Sequence, residues 1–294
     1  MRPLTELDSS LRRIGELVRR RSTSDRRMGK IWMLAPILPI IIGITLVLSV
    51  IRIVLSNFSN LQSLQGSETV IPAVAAILSL YFLGIVALYM ILLIDSVSIY
   101  YLLDRRNNHF KRQQQLFAML PRYLTACSTV PVENASRLAE MTEDDLTEEE
   151  NRPAVIWAIL NFFVSPIVSL IAAFSLTQDL RKHEDRQQNY QVILTTTLNQ
   201  MSISLSPLPP WRLHKRDPFL FLILTAITGG LFWIYWFYKL LEDYNEHFQD
   251  QALFEDQVLA SLKPKIPSKQ CHSCSGPVPE EAKFCPFCGK SQQT

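Results

Sequence analysis

The sequence predicts an all-α integral membrane protein, built from a transmembrane hairpin and two broken hydrophobic segments, with a small C-terminal zinc ribbon. Three observations lead to this prediction. Four apolar runs of about 20 to 25 residues are each long enough to cross a hydrocarbon core of roughly 30 Å. The last two runs share a pattern that includes a central helix breaker, and four cysteines lie in the last 24 residues. No strand-like alternation of comparable length occurs.

Charge and composition predict the orientation. The 294-residue chain is 48% hydrophobic with a net charge of +2, so we expect soluble segments to alternate with lipid-facing ones. Apolar runs at 31–51 and 70–94 form the predicted transmembrane hairpin. Nine Lys and Arg residues precede the first run and only Arg52 lies between the two. Because basic segments stay on the cytoplasmic side, the N-terminus and the chain after residue 104, with the C-terminus, are expected in the cytosol, beneath the plasma membrane.

Changes in composition divide the chain into six segments. The first is a basic amphipathic helix, which lies either on an anionic membrane surface or on the protein's own cytosolic part. Its apolar face includes Leu11, Ile14 and Val18. The acidic stretch that ends at residue 151 is expected to be solvated coil. The segments are the N-terminal helix 1–30, the transmembrane hairpin with the following cytosolic helix 31–125, the acidic linker 126–151, repeat A 152–205, repeat B 206–265 and the zinc ribbon 266–294.

Repeats A and B align without a gap when the sequence is shifted by 64 residues. Helix breakers coincide at the centre of the two apolar runs, where Ser165 and Pro166 fall on Gly229 and Gly230. Eight of the 47 aligned positions are identical. The matched pairs are Arg152–Arg216, Ile159–Ile223, Leu160–Leu224, Leu176–Leu240, Asp179–Asp243, His183–His247, Gln187–Gln251 and Leu198–Leu262.

A helical stripe of one His, one Gln and later apolar residues occurs three times, each time after an apolar segment. The spacings keep each set on one helical face, so the three helices are expected to pack as a small bundle on one side of the membrane. We interpret the polar positions of the stripes as the polar faces of these helices. A metal site of three histidines is the alternative interpretation, and it would require all three helices to meet. These positions are His109, Gln113, His183, Gln187, His247 and Gln251.

The topology of the two broken runs has two interpretations. If each run turns back at its breaker, every basic segment stays cytosolic, and each arm of about 12 residues is roughly 18 Å long, enough for one leaflet. If both runs span the bilayer as kinked helices, residues 177–217 are external and the three-helix bundle cannot form. The charge distribution and the repeat favour the re-entrant hairpins.

An aromatic cluster precedes Lys239 in repeat B. Trp233, Tyr235, Trp236 and Tyr238 are typical of an interfacial belt, because amphipathic rings favour the headgroup level. An aromatic ligand cage is the alternative interpretation.

The cysteine tail contains two C-x2-C pairs, Cys271 with Cys274 and Cys285 with Cys288. Two such pairs on tight turns place four thiolates around one structural Zn²⁺, with no position left for water. Two disulfides are the alternative, which a reducing cytosol disfavours.

The tail resembles the short zinc-ribbon domains with an F-C-x-x-C-G ending that prokaryotic proteins often carry at a terminus. The segment around Gly229 and Gly230 also resembles an uncharacterised prokaryotic membrane family with a T-x-G...Y-W-type core. Neither resemblance implies a catalytic residue, and the ribbon implies a binding module.

These features favour a membrane-embedded scaffold or adaptor over an enzyme, for which no nucleophile or acid pair is evident. Wedge-like hairpins would curve the membrane, and the ribbon would bind a cytosolic protein or mediate self-assembly into a homo-oligomer. The expected partners are the lipid bilayer and that protein, without a small-molecule substrate. Nucleic acid is not expected, because the ribbon has few basic residues. The alternative is a four-span transporter or channel component, or its regulator.

Overall fold

A computed structural model describes residues 2–62, 70–126, 132–201, 203, 205, 215–262, 268–271, 273–274, 277–279, 284 and 288–291. These residues are almost entirely helical, which confirms the all-α prediction outside the tail. The helices are α1 Arg2–Ser24, α2 Leu34–Gln62, α3 Val70–Ala126, α4 Val132–Glu148, α5 Ala154–Val164, α6 Ile167–Gln200, α7 Pro218–Ile227 and α8 Phe232–Leu262, with a 3-10 turn at Lys30–Met33; the strands are β1 Ser268–Gln270 and β2 Pro277–Pro279.

Two helical stretches are long and apolar enough to cross a membrane, Lys30–Leu55 and Leu78–Ala126. The first belongs to α2, whose central apolar side chains, including Val47 and Leu48, point away from the protein. The second belongs to α3, which continues as one helix of 57 residues into the polar part of the chain. Helices α5 and α7 are apolar but much shorter, at 11 and 10 residues.

Both broken runs reverse direction at the predicted breakers. Ser165 and Pro166 separate α5 from α6, and Gly229 and Gly230, with φ of 59° and 93°, separate α7 from α8. Positive φ is readily adopted only by glycine, so this pair permits a turn that other residues would resist. We call α5 with the start of α6, and α7 with the start of α8, the two helical hairpins.

Helices α3, α6 and α8 pack on one another and run in the same direction. His109 of α3 meets His247 of α8, and further along both helices Tyr123 donates a hydrogen bond to the carbonyl oxygen of Leu262 at 3.0 Å. A hairpin-side core and a tail-side core fill the two ends of this bundle. The hairpin-side core includes Ile99, Leu103, Ala172, Leu176, Trp236 and Leu240, and the tail-side core includes Phe117, Leu124, Tyr190, Leu198, Phe254 and Leu262.

The N-terminal helix packs on the bundle. Ile14 and Leu17 of α1 are each 1% exposed within the tail-side core. Arg21 pairs with Asp256 of α8 at 2.7 Å. Of the two sequence interpretations, the structure therefore selects packing on the protein's own polar part, because the apolar stripe of α1 is already buried there.

The acidic linker is not the solvated coil that we expected. Residues Val132–Glu148 form α4, which packs against α3 and α6. Arg186 of α6 explains the difference, because it pairs with Asp145, Glu148 and Glu149 at 2.9, 2.7 and 2.5 Å. Three acidic side chains of this segment thus pair with one arginine that is distant in sequence.

The tail contains the described strands of the chain. Strands β1 and β2 pair antiparallel, with Lys269 opposite Val278. An isolated bridge joins Phe284 to Ser291, and Gly289 has a φ of 71°.

Candidate functional site

Three histidines meet between the two apolar cores. His109 of α3, His183 of α6 and His247 of α8 are each 2% exposed or less. Their ring centroids form a nearly equilateral triangle with sides of 5.5, 5.1 and 5.1 Å. The Nε2 atoms of His109 and His247 are 3.2 Å apart. One nitrogen from each ring lies within 4.8 Å of the other two, so the group could hold a metal ion.

A carboxylate lies behind each of the three rings. The Nδ1 of His109 is 3.1 Å from Asp25, which follows α1. The Nδ1 of His183 is 2.6 Å from Glu149, which follows α4. The third contact joins Nδ1 of His247 to Glu184 of α6 at 3.3 Å. The Glu149 contact is a hydrogen bond that places the proton of His183 on Nδ1. The carboxylates near Nδ1 of His109 and His247 lie at ion-pair distance without hydrogen-bond geometry.

Burial decides the charge of His109 and His183. Burial lowers the pKa of His109 to about 3, although Asp25 acts in the opposite direction. Burial likewise lowers the pKa of His183, against the effect of Glu149. Burial alone would raise the pKa of Glu149, but His183 and Arg186 outweigh it and lower the pKa to about 2. Neutral His109 and His183 and an ionised Glu149 are therefore the favoured state at neutral pH.

The glutamines of the repeat lie one helical turn further along the bundle. Gln187 donates to Oε1 of Gln251 at 2.5 Å, and Gln251 donates to Glu255 at 3.0 Å. The Nε2 of Gln187 is also 3.1 Å from Nε2 of His183. Within the described residues, the buried Oε1 atoms of Gln113 and Gln187 accept no hydrogen bond. The structure thus brings all six repeat-face residues into one buried layer.

Arg112 connects this layer to the N-terminal segment. Its guanidinium donates to both oxygens of Glu255, at 2.9 and 2.8 Å, and to Asp25 at 2.8 Å. Asp25 is thereby held between Arg112 and His109. Burial lowers the pKa of Arg112, but the two carboxylates outweigh it and raise that pKa above its usual range.

A second polar group lies between the hairpins. Asp95 of α3 accepts hydrogen bonds from Asn161, Ser165 and Ser169 at 2.8, 2.9 and 2.6 Å. A cavity of about 360 Å³ adjoins it. Its lining includes Pro39, Asp95, Ser165, Ser169, Gly229 and Trp233.

The tail brings together three of the four predicted zinc ligands. Cys271, Cys274 and Cys288 lie with their sulfurs within 4.8 Å of one another, and the Cys271 and Cys288 sulfurs are 3.7 Å apart. Backbone N–H groups of Ser273 and Cys274 donate to the Cys271 sulfur and lower its pKa to about 6. This group could bind a metal ion through thiolates. The fourth predicted ligand, Cys285, lies outside the described residues.

The aromatic residues before Lys239 do not act as one set. Trp236 is fully buried, and its indole Nε1 donates to Oγ1 of Thr177 at 2.9 Å. Trp236 is therefore wrongly assigned to an interfacial belt, because its ring fills the contact between α6 and α8. Tyr235 is 43% exposed, and Trp233 packs at the edge of the hairpin-side core. Tyr238 donates to Glu242 at 2.5 Å.

No family model, curated protein or solved structure matches this chain. The resemblances of the tail and of repeat B therefore depend on their residues alone.

Sequence reasoning missed the carboxylates behind the histidines. Glu184 adjoins His183 in sequence, but it contacts His247 of another helix. Asp25 and Glu149 lie among many other charged residues, so no spacing singles them out. For Asp95 and Asn161, a position in or next to an apolar run was the available signal, but their contact joins residues 66 positions apart.

Proposed function

We propose that the protein is a membrane-embedded scaffold with its helical bundle and tail in the cytosol. In this proposal α2 and the first part of α3 cross the bilayer. The two helical hairpins enter the cytosolic leaflet without crossing it.

The observation that carries this proposal is the apolar surface of the hairpins. Phe163 and Ile227, next to the two turns, are each 76% exposed. Exposed apolar patches of this kind mark interaction surfaces, including membrane-contacting ones. At the opposite ends, Arg152 pairs with Asp179 and Arg216 pairs with Asp243. Each hairpin thus has an apolar tip and a charged base, and this arrangement suits insertion of the tip into one leaflet of the bilayer.

The lengths of the hairpin arms support the same topology. Helix α5 has 11 residues and α7 has 10, so each is about 15 to 17 Å long at 1.5 Å per residue. A hydrocarbon core of roughly 30 Å is twice that. Hairpins confined to one leaflet enlarge it relative to the other, which is the physical basis for a membrane-curving role.

The test of topology is accessibility of α6. A cysteine at the exposed Thr196, in a Cys127→Ser background, is probed in intact cells with a membrane-impermeant thiol reagent and read by peptide mass. We expect protection until the membrane is opened. The matched control is Ser67→Cys between the two spans, which we expect to react from outside. Labelling at Thr196 from outside would reject the hairpins.

The test of membrane shaping uses purified full-length protein in liposomes. We expect smaller or tubulated vesicles at high protein density. A variant with Phe163→Asn and Ile227→Asn, which weakens insertion of both tips, should leave vesicles larger. If vesicles with the wild-type protein stay spherical and unchanged in size, membrane shaping is rejected and the protein is an anchored adaptor without curvature activity.

The tail is proposed to be a zinc ribbon in which Cys271, Cys274, Cys285 and Cys288 bind one structural Zn²⁺. It would then recruit a cytosolic protein or a second copy of the chain. Four cysteine-to-serine substitutions should remove a sulfur-bound zinc, measured by elemental analysis and X-ray absorption. No sulfur–zinc signal in the wild-type protein would reject the ribbon.

A second candidate function is transport, because Asp95 adjoins the cavity between the hairpins. Ionisable groups at membrane depth commonly mark a substrate or ion pathway. If the cavity conducts, proteoliposomes should show a cation or proton flux that Asp95→Asn abolishes. Equal fluxes with and without protein would exclude this candidate.

A further inference from the structure

We propose that His109, His183 and His247 form a binding site for a divalent transition-metal ion, Zn²⁺ being the ion that the geometry fits. This site is separate from the cysteine tail and lies inside the helical bundle. It goes beyond the proposed scaffold function and does not depend on it.

The spacing of the nitrogens fits a tetrahedral ion. Zn–N bonds of about 2.0–2.1 Å place two ligand nitrogens about 3.3 Å apart in a tetrahedral site. The Nε2 atoms of His109 and His247 are 3.2 Å apart. One nitrogen of His183 lies within 4.8 Å of one nitrogen of each of the other two rings, so metal binding would draw the three rings closer together.

The orientation of the rings also favours a cation between them. The Nε2 atoms of His109 and His247 face each other, while Asp25 and Glu184 lie near the Nδ1 atoms on the opposite side of these rings. When both rings carry their proton on Nδ1, the two Nε2 lone pairs point at each other across 3.2 Å, and a cation between them removes the repulsion. A metal ion satisfies both lone pairs without protonating either ring.

The carboxylates have the geometry of outer ligands. Metal-bound histidines usually donate their second ring N–H to a carboxylate, which fixes the ring and strengthens the ligand. Here Asp25, Glu149 and Glu184 lie 3.1, 2.6 and 3.3 Å from the three Nδ1 atoms. A carboxylate thus lies near Nδ1 of every ring, and of the three contacts the one between Glu149 and His183 has hydrogen-bond geometry.

A fourth ligand is available one turn away. Gln113 is 2% exposed and follows His109 by four residues, so it shares the same helical face. Its Oε1 accepts no hydrogen bond among the described residues. This oxygen or a water molecule would complete a four-coordinate site. The bound ion would tie α3, α6 and α8 together directly beneath the hairpins.

The test starts from the full chain in detergent with all four tail cysteines replaced by serine, so that no sulfur ligand remains in the tail. After chelation, the protein is given Zn²⁺, desalted and analysed for metal content. We expect about one zinc per chain, with nitrogen or oxygen ligands at about 2.0–2.1 Å by X-ray absorption and no sulfur shell at about 2.3 Å. Absence of zinc in this variant would overturn the proposal.

The histidine variants provide the second half of the test. Adding His109→Gln and His247→Gln should reduce the zinc content at least tenfold, with unchanged helicity by circular dichroism. His214→Gln is the matched control and should retain the metal. Undiminished zinc in the double variant would also overturn the proposal.

A milder variant keeps the test decisive if the double variant unfolds. Glu184→Gln leaves all three histidines in place and should weaken zinc affinity about 10- to 100-fold, because His247 loses its oriented carboxylate. If the Glu184→Gln variant binds zinc as tightly as the parent protein, without a shell of nitrogen ligands around the metal, the proposed site is contradicted.

Discussion

Arg152 and Asp179 form a two-point ion pair across the base of the first helical hairpin, with Nε–Oδ2 and Nη2–Oδ1 distances of 2.7 and 2.9 Å. The same pair recurs 64 residues later as Arg216 and Asp243, whose Nη2–Oδ1 distance is 2.9 Å. Two of the eight identities between the repeats are thus explained by one contact. Each pair joins an arginine two residues before the first arm to an aspartate well inside the second arm, so it holds the chain in its reversed path.

The two ion pairs are expected to differ in strength. Asp179 also pairs with Arg106, which is only 2% exposed, whereas Arg216 is 25% exposed. Asp179→Asn should therefore cost about 3 kcal/mol of unfolding free energy, because it strands a buried charge. Asp243→Asn should cost about 1 kcal/mol, because Arg216 remains partly solvated. Denaturant unfolding in detergent micelles measures both, and equal losses would argue against a special role of Arg106.

The turn between α7 and α8 should depend on backbone conformation alone. Nothing lies within 4 Å of a Cβ built at Gly230, but its φ is 93°. Gly230→Ala should therefore cost about 1–2 kcal/mol from strain and not from a clash. Gly43 of α2 has equal space without a positive φ, so Gly43→Ala should be neutral or stabilising by up to about 1 kcal/mol. Thermal unfolding compares the two; a stable Gly230→Ala protein would mean that the turn relaxes freely.

Trp236 should be the most sensitive of the repeat B aromatic residues. Trp236→Phe removes a fully buried indole and its 2.9 Å hydrogen bond to Thr177. We expect a loss of about 2 kcal/mol, combining the hydrogen bond with the volume left behind. Trp233→Phe, at the edge of the same core, should cost less than about 1 kcal/mol. If both losses in melting temperature are the same, the belt interpretation regains support.

Asp145 should make stability pH-dependent. Burial and the charge of Glu149 raise its pKa to about 7, although Arg186 acts in the opposite direction and Glu148 adds to the rise. The folded state then binds a proton that the unfolded state releases near pH 4, so this contribution to stability is lost as the pH rises from about 4 to about 7. Asp145→Asn cannot titrate. Its melting temperature relative to wild type should therefore rise across this window, and a constant difference would contradict the shift.

Local patterns were sufficient to predict much of the fold. The apolar runs predict α2 and the start of α3, and the central breakers predict where α5 and α7 end. The recurring His, Gln and Leu spacings predict three helices that each carry polar positions at the corresponding place in the stripe. These features could be read because each depends on residues within a few turns of one helix.

The solvated-coil prediction for the acidic segment is wrong because the contact that stabilises this segment joins residues that are distant in sequence. A run such as Glu148 to Glu150 has the composition of solvated coil, and only Arg186, 37 residues beyond Glu149, explains why it folds as part of the bundle. The same long separation hid Trp236, whose partner Thr177 is 59 residues away.

The sequence alone therefore determined the helices, their breaks and the spacing of the histidines, because these are properties of periodicity along one segment. Only the tertiary structure decided that the three rings meet with their nitrogens 3.2 Å apart at closest approach, and that Asp25, Glu149 and Glu184 lie behind them. Those contacts depend on how parallel helices and distant loops pack, and burial then changes the chemistry of the groups by removing them from water.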